Sequence, residues 1–198
     1  MTRTFDFLFS FFGLLILSPI ILVLLIIGLF DTASPLFLQE RIGVDQKPFN
    51  LLKFRSMHVN TQSVATHLAS AASITPFGHF LRKSKLDELP QLYNVIRGDM
   101  SLVGPRPERR FYIDQIVVTN PEYRYLLKVK PGITGLAQVN GRNAISWQKK
   151  FELDVWYVKH CSFSLDFRIL LKTIKNVFQS KGINQEGNAT MELFKGLI

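Results

Sequence analysis

Apolar residues fall into three arrangements along the chain: one unbroken run, short alternating stretches, and a stripe at helical spacing. The unbroken run, FLFSFFGLLILSPIILVLLIIGLF, covers Phe7 to Phe30, 24 positions without a charged residue, where roughly 20 suffice to cross a bilayer as a straight helix. Pro19 interrupts it. Proline has no N–H, and its ring clashes with the carbonyl four residues back, here Leu15, so a helix kinks or breaks at this point. Ser18 beside it carries a hydroxyl able to satisfy a freed carbonyl. Each half is then about 11 residues, roughly 16 Å at 1.5 Å per residue, too short to span alone. Two arrangements are open: a re-entrant helix–break–helix that enters and leaves by one face, placing Thr2 and Thr32 on the same side, or an ordinary kinked transmembrane helix. The run is too long for a cleaved signal peptide and no A-x-A site follows it. Every lysine and arginine except Arg3 follows the run, which sets the body on the cytoplasmic side.

Beyond Asp31 no repeat, linker or composition shift marks a second domain, so the expected division is 1–31 for the membrane helix and 32–198 for the cytoplasmic-face catalytic domain. PLFLQERIGVDQKPFNLLKFRSM reads as two strands joined around Gly43 to Pro48. Alternation in the second strand puts Phe49, Leu51, Lys53 and Arg55 on one face, two cations side by side; that pattern suits either a charge-protected edge strand or an anion site. The small polar stretch from Asn60 to Ser73 predicts a loop. Thr75-Pro76 predicts an N-cap and first-turn proline for a helix through FGHFLRK. Near the C-terminus, SLDFRILLKTIKNVFQSKG predicts a helix capped by Ser164 and stopped at Gly182. Its stripe of Phe167, Leu170, Leu171, Ile174, Val177 and Phe178 lies opposite Arg168, Lys172 and Lys175. Such a helix either rests on a membrane surface or packs its stripe on the core. The resulting fold class is α+β, mostly helical, with a small β-hairpin and amphipathic interfacial helices.

Charge adds a partner. The 198 residues carry a net charge of +9, which points to an anion: nucleic acid, the anionic cytoplasmic leaflet or a phosphorylated substrate. The single cysteine, Cys161, excludes an internal disulfide and reads as a small buried hydrophobe. His58, His67, His79 and His160 lack metal-ligand spacing.

Within the basic run KSKLDELPQLYNVIRGDMSLVGPRP, Asp87 and Glu88 stand side by side. Pro90 is comfortable only in the first turn of a helix, so the helix carrying QLYNVIR starts at about Leu86 to Leu89 and the acidic pair sits at its N-terminus. That terminus and the cations Arg82, Lys83 and Lys85 make a field for anions. A structural alternative is a capping box from Ser84 to Asp87, but proline at the third position has no amide for an Asp87 cap. An aspartate can attack phosphorus if basic side chains or metal ions bring the two negative partners together, and a neighbouring glutamate can hold a metal or assist proton transfer. Arg106, held between prolines in GPRP, suits bidentate contact with a phosphate, or is simply a surface residue.

KFRSM, LRKSKLDELPQLYNVIRGDMSLVGPRP and KPGITGLAQVNGRNAISW together strongly resemble the bacterial sugar transferases, the monotopic polyprenyl-phosphate phosphoglycosyl transferases. The likeness covers nearly the whole chain and includes Ser18-Pro19, and the short length looks like that of the small PglC-type members. The resemblance implies a re-entrant helix at the bacterial inner membrane, a cytoplasmic-face active site and Mg²⁺. It also implies transfer of a phospho-sugar from a UDP-sugar to undecaprenyl phosphate with release of UMP. On matching positions Asp87 is the nucleophile and a metal ligand, Glu88 its dyad partner, and Lys53, Arg82 and Arg106 bind phosphate or substrate. NGRNAISWQKKFELDVWYV tilts the donor towards an N-acetylated amino sugar, with UDP-N,N′-diacetylbacillosamine as one case. Gly132, Gly135 and Gly141 are permissive turn points where backbone approaches a ligand.

Two alternatives keep their place. A membrane-tethered nucleic-acid binder accounts for the charge and for RRFYIDQ and EYRYLLKVK, which mix bases with aromatics; a non-catalytic membrane adaptor accounts for the anchor. Neither explains the acidic pair, so membrane lipid, and no nucleic acid, is expected as the macromolecular surroundings.

Overall fold

Arg3–Thr32 forms one helix, α1, in the computed structural model of the chain, which describes residues 3–59, 61, 73–119, 121–141 and 144–179. The expected break at Pro19 is not an interruption: helical structure continues through it. The reason is local. Ser18 Oγ donates to the Leu15 carbonyl at 2.7 Å, the oxygen that proline leaves without a donor. One face of α1 meets the body at both ends. Near its start, buried Asp6 accepts from Ser101 Oγ at 2.8 Å and the Leu102 amide at 3.1 Å, and Arg3 donates to the carbonyls of Val95 and Ile96. Near its end, Leu24 packs with Phe54 and Leu81, and Asp31 accepts from Thr75 Oγ1 at 2.7 Å. The opposite face, including Phe12, Leu15, Ile16 and Phe30, is exposed.

The predicted hairpin forms between β1 (Leu36–Ile42) and β2 (Pro48–Phe54), antiparallel from Leu36 opposite Phe54 to Ile42 opposite Pro48. Leu51 and Phe49 pack towards Val95 and Met100, as period-two alternation requires. Arg55 departs from that pattern. Its guanidinium donates to the Ser34 and Leu36 carbonyls and lies 5.3 Å from the Phe37 ring, so it fastens the start of β1 instead of standing beside Lys53. α2 (Pro76–Ser84) begins where Thr75 accepts from the Gly78 amide at 2.9 Å. α3 (Gln91–Arg97) follows a 3₁₀ turn and leads into β3 (Ser101–Val103). After α4 (Arg110–Thr119) and a 3₁₀ segment at Pro121–Lys128, β4 (Gly132–Thr134) lies parallel to β3. Three helices complete the described fold: α5 (Leu136–Val139), α6 (Trp147–His160) and α7 (Phe163–Phe178).

The cap of α7 is Ser162, which accepts from the Leu165 amide, not Ser164; Gly182 lies outside the described residues, as do all but Thr61 and Ser73 of the predicted polar loop. The buried side of α7 is Ile169 and Asp166, the latter accepting from Tyr157 Oη at 2.6 Å. Phe167, Leu171, Ile174 and Val177 are exposed along with Phe163, while Leu170 of the same stripe packs against the cluster of Val103, Val139, Tyr157 and Ile169. Cys161, expected inside, is also exposed, because it falls at the junction after α6 and not on a buried face.

Candidate active site

The acidic pair is positioned by a sharp junction. Lys85 ends α2 in the left-handed conformation (φ 63°, ψ 13°), a region that costs a non-glycine residue about 1–2 kcal/mol. The chain then winds into the 3₁₀ turn Leu86–Glu88 and, two residues later, α3. Pro90 precedes α3 and gives it no side-chain cap, since a proline ring has no acceptor for the first-turn amides; α3 starts at Gln91, later than the Leu86 to Leu89 expected, and the acidic pair lies in the 3₁₀ turn before it. Leu86 and Leu89 of this turn pack against the cluster of Leu24, Phe54 and Leu81. Their burial ties the turn to α1, α2 and β2. The capping box fails on Ser84, whose hydroxyl donates back to Phe80 and Leu81 carbonyls.

Three of the predicted cations converge here from separate elements. Arg106 Nη2 donates to Glu88 Oε1 at 3.2 Å, and Lys53 Nζ from β2 lies 3.6 Å from the same oxygen. Arg82 is held from α2 by Nε donation to Ser56 Oγ at 2.9 Å. Burial lowers its basicity while the field of Asp87 opposes that, which places it near the other carboxylate. Burial also pulls Lys53 down to about 8, against the attraction of Glu88. Arg106 moves the other way: burial lowers it, but Glu88, Glu108 and Asp87 together outweigh that and raise it. Lys53, Arg82 and Arg106 against Asp87 and Glu88 leave an excess of one positive charge, and low local dielectric strengthens each interaction. The arrangement suits a doubly charged phosphate ligand that meets a carboxylate nucleophile. As for a metal, no group of three or more His, Cys, Asp or Glu side chains stands together among the described residues. Two adjacent carboxylates still fit Mg²⁺, which keeps several waters and is commonly bound through one or two carboxylates plus substrate phosphates.

Sequence reasoning missed the layer behind Arg106. Arg41, Glu108, Lys150 and Asp154 are all buried there. Arg41 is lowered to about 10 by burial, against Glu108, and Asp154 is pushed up to about 7 by burial, against Lys150. The available signals were the acid directly after GPRP and the four-residue spacing of Lys150 and Asp154 on α6. The glycines also have a different use from the one expected. A Cβ on Gly132 would lie 2.1 Å from the Gly104 amide, and one on Gly135 2.1 Å from the Gly104 carbonyl. They let the β4 strand and the GPRP segment touch backbone to backbone, so the two motifs are halves of one structure.

Of the two base-and-aromatic stretches, Tyr112 and Tyr123 are core residues packed with Phe151 and Val155, while Phe111 and Tyr125 are exposed. His160 stacks on Trp156 at 4.4 Å. His67 lies outside the described residues.

The family described as bacterial sugar transferase matches residues 1–180. A Bacillus subtilis protein named uncharacterized sugar transferase EpsL is 46% identical over 195 residues, covering 98% of this chain and 95% of its own length. The undecaprenyl-phosphate galactose phosphotransferase of Salmonella typhimurium is 39% identical over 197 residues, 91% of this chain. The UDP-N-acetylgalactosamine-undecaprenyl-phosphate N-acetylgalactosaminephosphotransferase of Aeromonas hydrophila is 37% identical over 186 residues, also 91% of this chain. The chain spans 41% and 44% of the length of those last two proteins.

Proposed function

The chain belongs to the bacterial sugar transferase family, and on that footing we propose that it transfers a sugar 1-phosphate from a UDP-sugar to undecaprenyl phosphate by way of Asp87. In the first step a carboxylate oxygen of Asp87 attacks the phosphorus that bears the sugar. The bond from that phosphorus to the bridging oxygen breaks, and UMP leaves with the electron pair. In the second step a phosphate oxygen of undecaprenyl phosphate attacks the same phosphorus and releases the Asp87 carboxylate, giving a diphosphate-linked lipid sugar. The observation that carries this reading is the Glu88 oxygen shared by Arg106 and Lys53, one residue from Asp87. These cations offset the repulsion between an anionic nucleophile and an anionic diphosphate. Arg106 grips phosphate with a planar fork, Lys53 and Arg82 add charge, and Glu88 orients both Lys53 and Arg106. Asp87, assisted by Glu88, would hold Mg²⁺, which when bound neutralises charge on the diphosphate.

The donor proposed is a UDP-linked N-acetylated amino sugar, with UDP-N,N′-diacetylbacillosamine as one candidate. The relatives named for galactose and for N-acetylgalactosamine are about equally similar, so the donor is chosen by experiment. The proposed location is the cytoplasmic face of the inner membrane, entered from that side alone. A straight spanning helix separates its ends by about 30 Å of hydrocarbon, whereas Asp6 and Asp31 both bond the same body. The exposed stripe of α7 extends the apolar surface, since Phe163 meets Phe5 of α1 edge to face at 5.4 Å. To test the reaction, the full chain in detergent is incubated with UDP-sugars, Mg²⁺ and undecaprenyl phosphate. UMP release with one donor and a lipid-linked product support it; no UMP from any UDP-sugar would overturn it.

A further inference from the structure

The buried residues of α3 are Gln91, Asn94 and Val95, a spacing that puts all three on one helix face. That face is turned to β2. Asn94 Oδ1 accepts from the Leu52 amide at 3.0 Å and Asn94 Nδ2 donates to the Asn50 carbonyl at 2.8 Å, while Val95 packs with Leu51 of the same strand. One turn earlier, Glu88 meets β2 as well, through Lys53 at 3.6 Å. Between these two contacts the backbone is wound tightly: the Glu88, Leu89, Leu92 and Tyr93 amides donate to the carbonyls of Lys85, Leu86, Leu89 and Pro90, each three residues back. In such winding, side chains three apart stand one above the other. Gln91 is thus bracketed by Glu88 on one side and Asn94 on the other, over the strand that carries Lys53.

Its side chain differs from both brackets in one respect. Gln91 is 3% exposed, yet its Nε2 donates to no acceptor among the described residues. A buried amide donor without an acceptor carries its full desolvation cost, so it calls for a partner. The nearest acceptors along the face are engaged: Glu88 Oε1 by Arg106 and Lys53, the Asn50 carbonyl by Asn94. The place one turn away is where a phosphate arrives in the scheme above, and a phosphate brings oxygen acceptors. Depth does not separate the two, because the Lys53 and Glu88 side chains are themselves only 14% and 13% exposed. The amide is neutral, so it directs a hydrogen bond at an oxygen without adding to the positive charge already collected there. Resting on the function argued above, we propose that Gln91 is a further catalytic residue, its Nε2 donating to a non-bridging oxygen of the sugar-bearing phosphate as Asp87 attacks. A fixed donor aimed where charge gathers lowers the barrier and not merely the binding constant.

With the full chain in detergent, Gln91→Met keeps the length of the side chain and removes the donor. It should lower kcat for UMP release about 10- to 100-fold with little change in the donor KM. The contact itself is read with sulfur, a poor acceptor, in place of one non-bridging oxygen on the sugar-bearing phosphate of the UDP-sugar. The diastereomer that presents sulfur to Gln91 should be slowed in the native chain, and that slowing should shrink about fivefold or more in Gln91→Met, where the donor is already gone. An amide with a structural role alone gives the opposite pattern: a lower melting temperature for Gln91→Met, an unchanged kcat per folded molecule and the same sulfur effects in both proteins. That pattern would overturn the proposal. The native chain supplies a second measurement that needs no variant. The Gln91 side-chain NH₂ resonances, assigned through its own Cγ, should shift at saturating magnesium pyrophosphate, and resonances that stay in place would overturn the proposal too. If the unaltered chain releases no UMP from any UDP-sugar, the proposed reaction falls and the pyrophosphate titration alone decides whether Gln91 meets phosphate.

Discussion

Lys53 offers a pH test worked directly from burial. Its ammonium is brought down to about 8, chiefly by desolvation, so the free enzyme holds a charged Lys53 at neutral pH and loses it in the mild alkaline range. A pKa of about 8 leaves roughly 90% of the molecules charged at pH 7 and roughly 10% at pH 9. If only the charged form accepts the anionic donor, kcat/KM for the UDP-sugar should fall about tenfold between pH 7 and 9, tending to a slope of −1. The lipid phosphate titrates too, so the assay is the first half-reaction, donor with Mg²⁺ and no acceptor, with UMP followed by rapid quench. Lys53→Arg carries a charge that persists through this range and should remove the alkaline limb even if it lowers the plateau. A wild-type profile flat to pH 9.5, or an equal fall in Lys53→Arg, would refute the reasoning.

Three further outcomes follow from particular contacts. Cysteines placed at Thr4 and Thr32 should both resist a membrane-impermeant reagent applied outside intact cells, like native Cys161; replacing Arg3 and Asp6 together by Leu removes the latch to Val95, Ile96, Ser101 and Leu102 and should expose Thr4 in part of the population, whereas outside labelling of Thr4 in the otherwise native chain would refute the one-sided topology. Gly78→Ala places a Cβ 2.0 Å from the Ser56 carbonyl oxygen and should cost about 1–3 kcal/mol of stability in denaturant titration, with turnover lost as well because Ser56 holds Arg82; an unchanged midpoint would contradict that packing. Asp154, pushed up to about 7, is protonated in the folded chain and ionised in the unfolded chain between roughly pH 4 and 7, so its contribution to stability falls as pH rises through that window and is gone above 7, by up to about 4 kcal/mol. The groups facing it are Lys150, Glu108 and Arg106, and Asp154→Asn should flatten the corresponding slope of stability against pH; a slope identical in both proteins would count against a raised Asp154.

Much of this was legible because it rests on local chemistry. The Thr75 cap, the hairpin around Gly43 and the Ser18 hydroxyl on Leu15 each follow from a residue and its near neighbours. Lys53, Arg82 and Arg106 were recognisable one by one, but their meeting at the dyad depends on strand register and on the left-handed Lys85, which no spacing rule requires. The layer of Arg41, Glu108, Lys150 and Asp154 was hidden for a different reason. Buried charges are uncommon unless paired, and the pairing partners here come from β1, the GPRP segment and α6, far apart in sequence. Gly132 and Gly135 carried a true signal of close approach but no indication of what approaches. For α7, the pattern identified the stripe, and only the placement of Asp166 and Ile169 inside showed that Phe167, Leu171, Ile174 and Val177 face outward while Leu170 meets the core. Ser162 displaced Ser164 as its cap because either serine could start the helix two residues apart.

The central claim is that Asp87 itself becomes bonded to the phospho-sugar. Enzyme, Mg²⁺ and the cognate UDP-sugar, without lipid acceptor, should release a burst of UMP no larger than the enzyme present, and intact-protein and peptide mass spectrometry should find one phospho-sugar on Asp87. Asp87→Asn should abolish both burst and adduct, since an amide is a poor nucleophile towards phosphorus; Glu88→Gln, which loosens Arg106 and Lys53, should slow the adduct without moving it. An adduct mapped to any other residue, or a full burst from Asp87→Asn, would contradict the account.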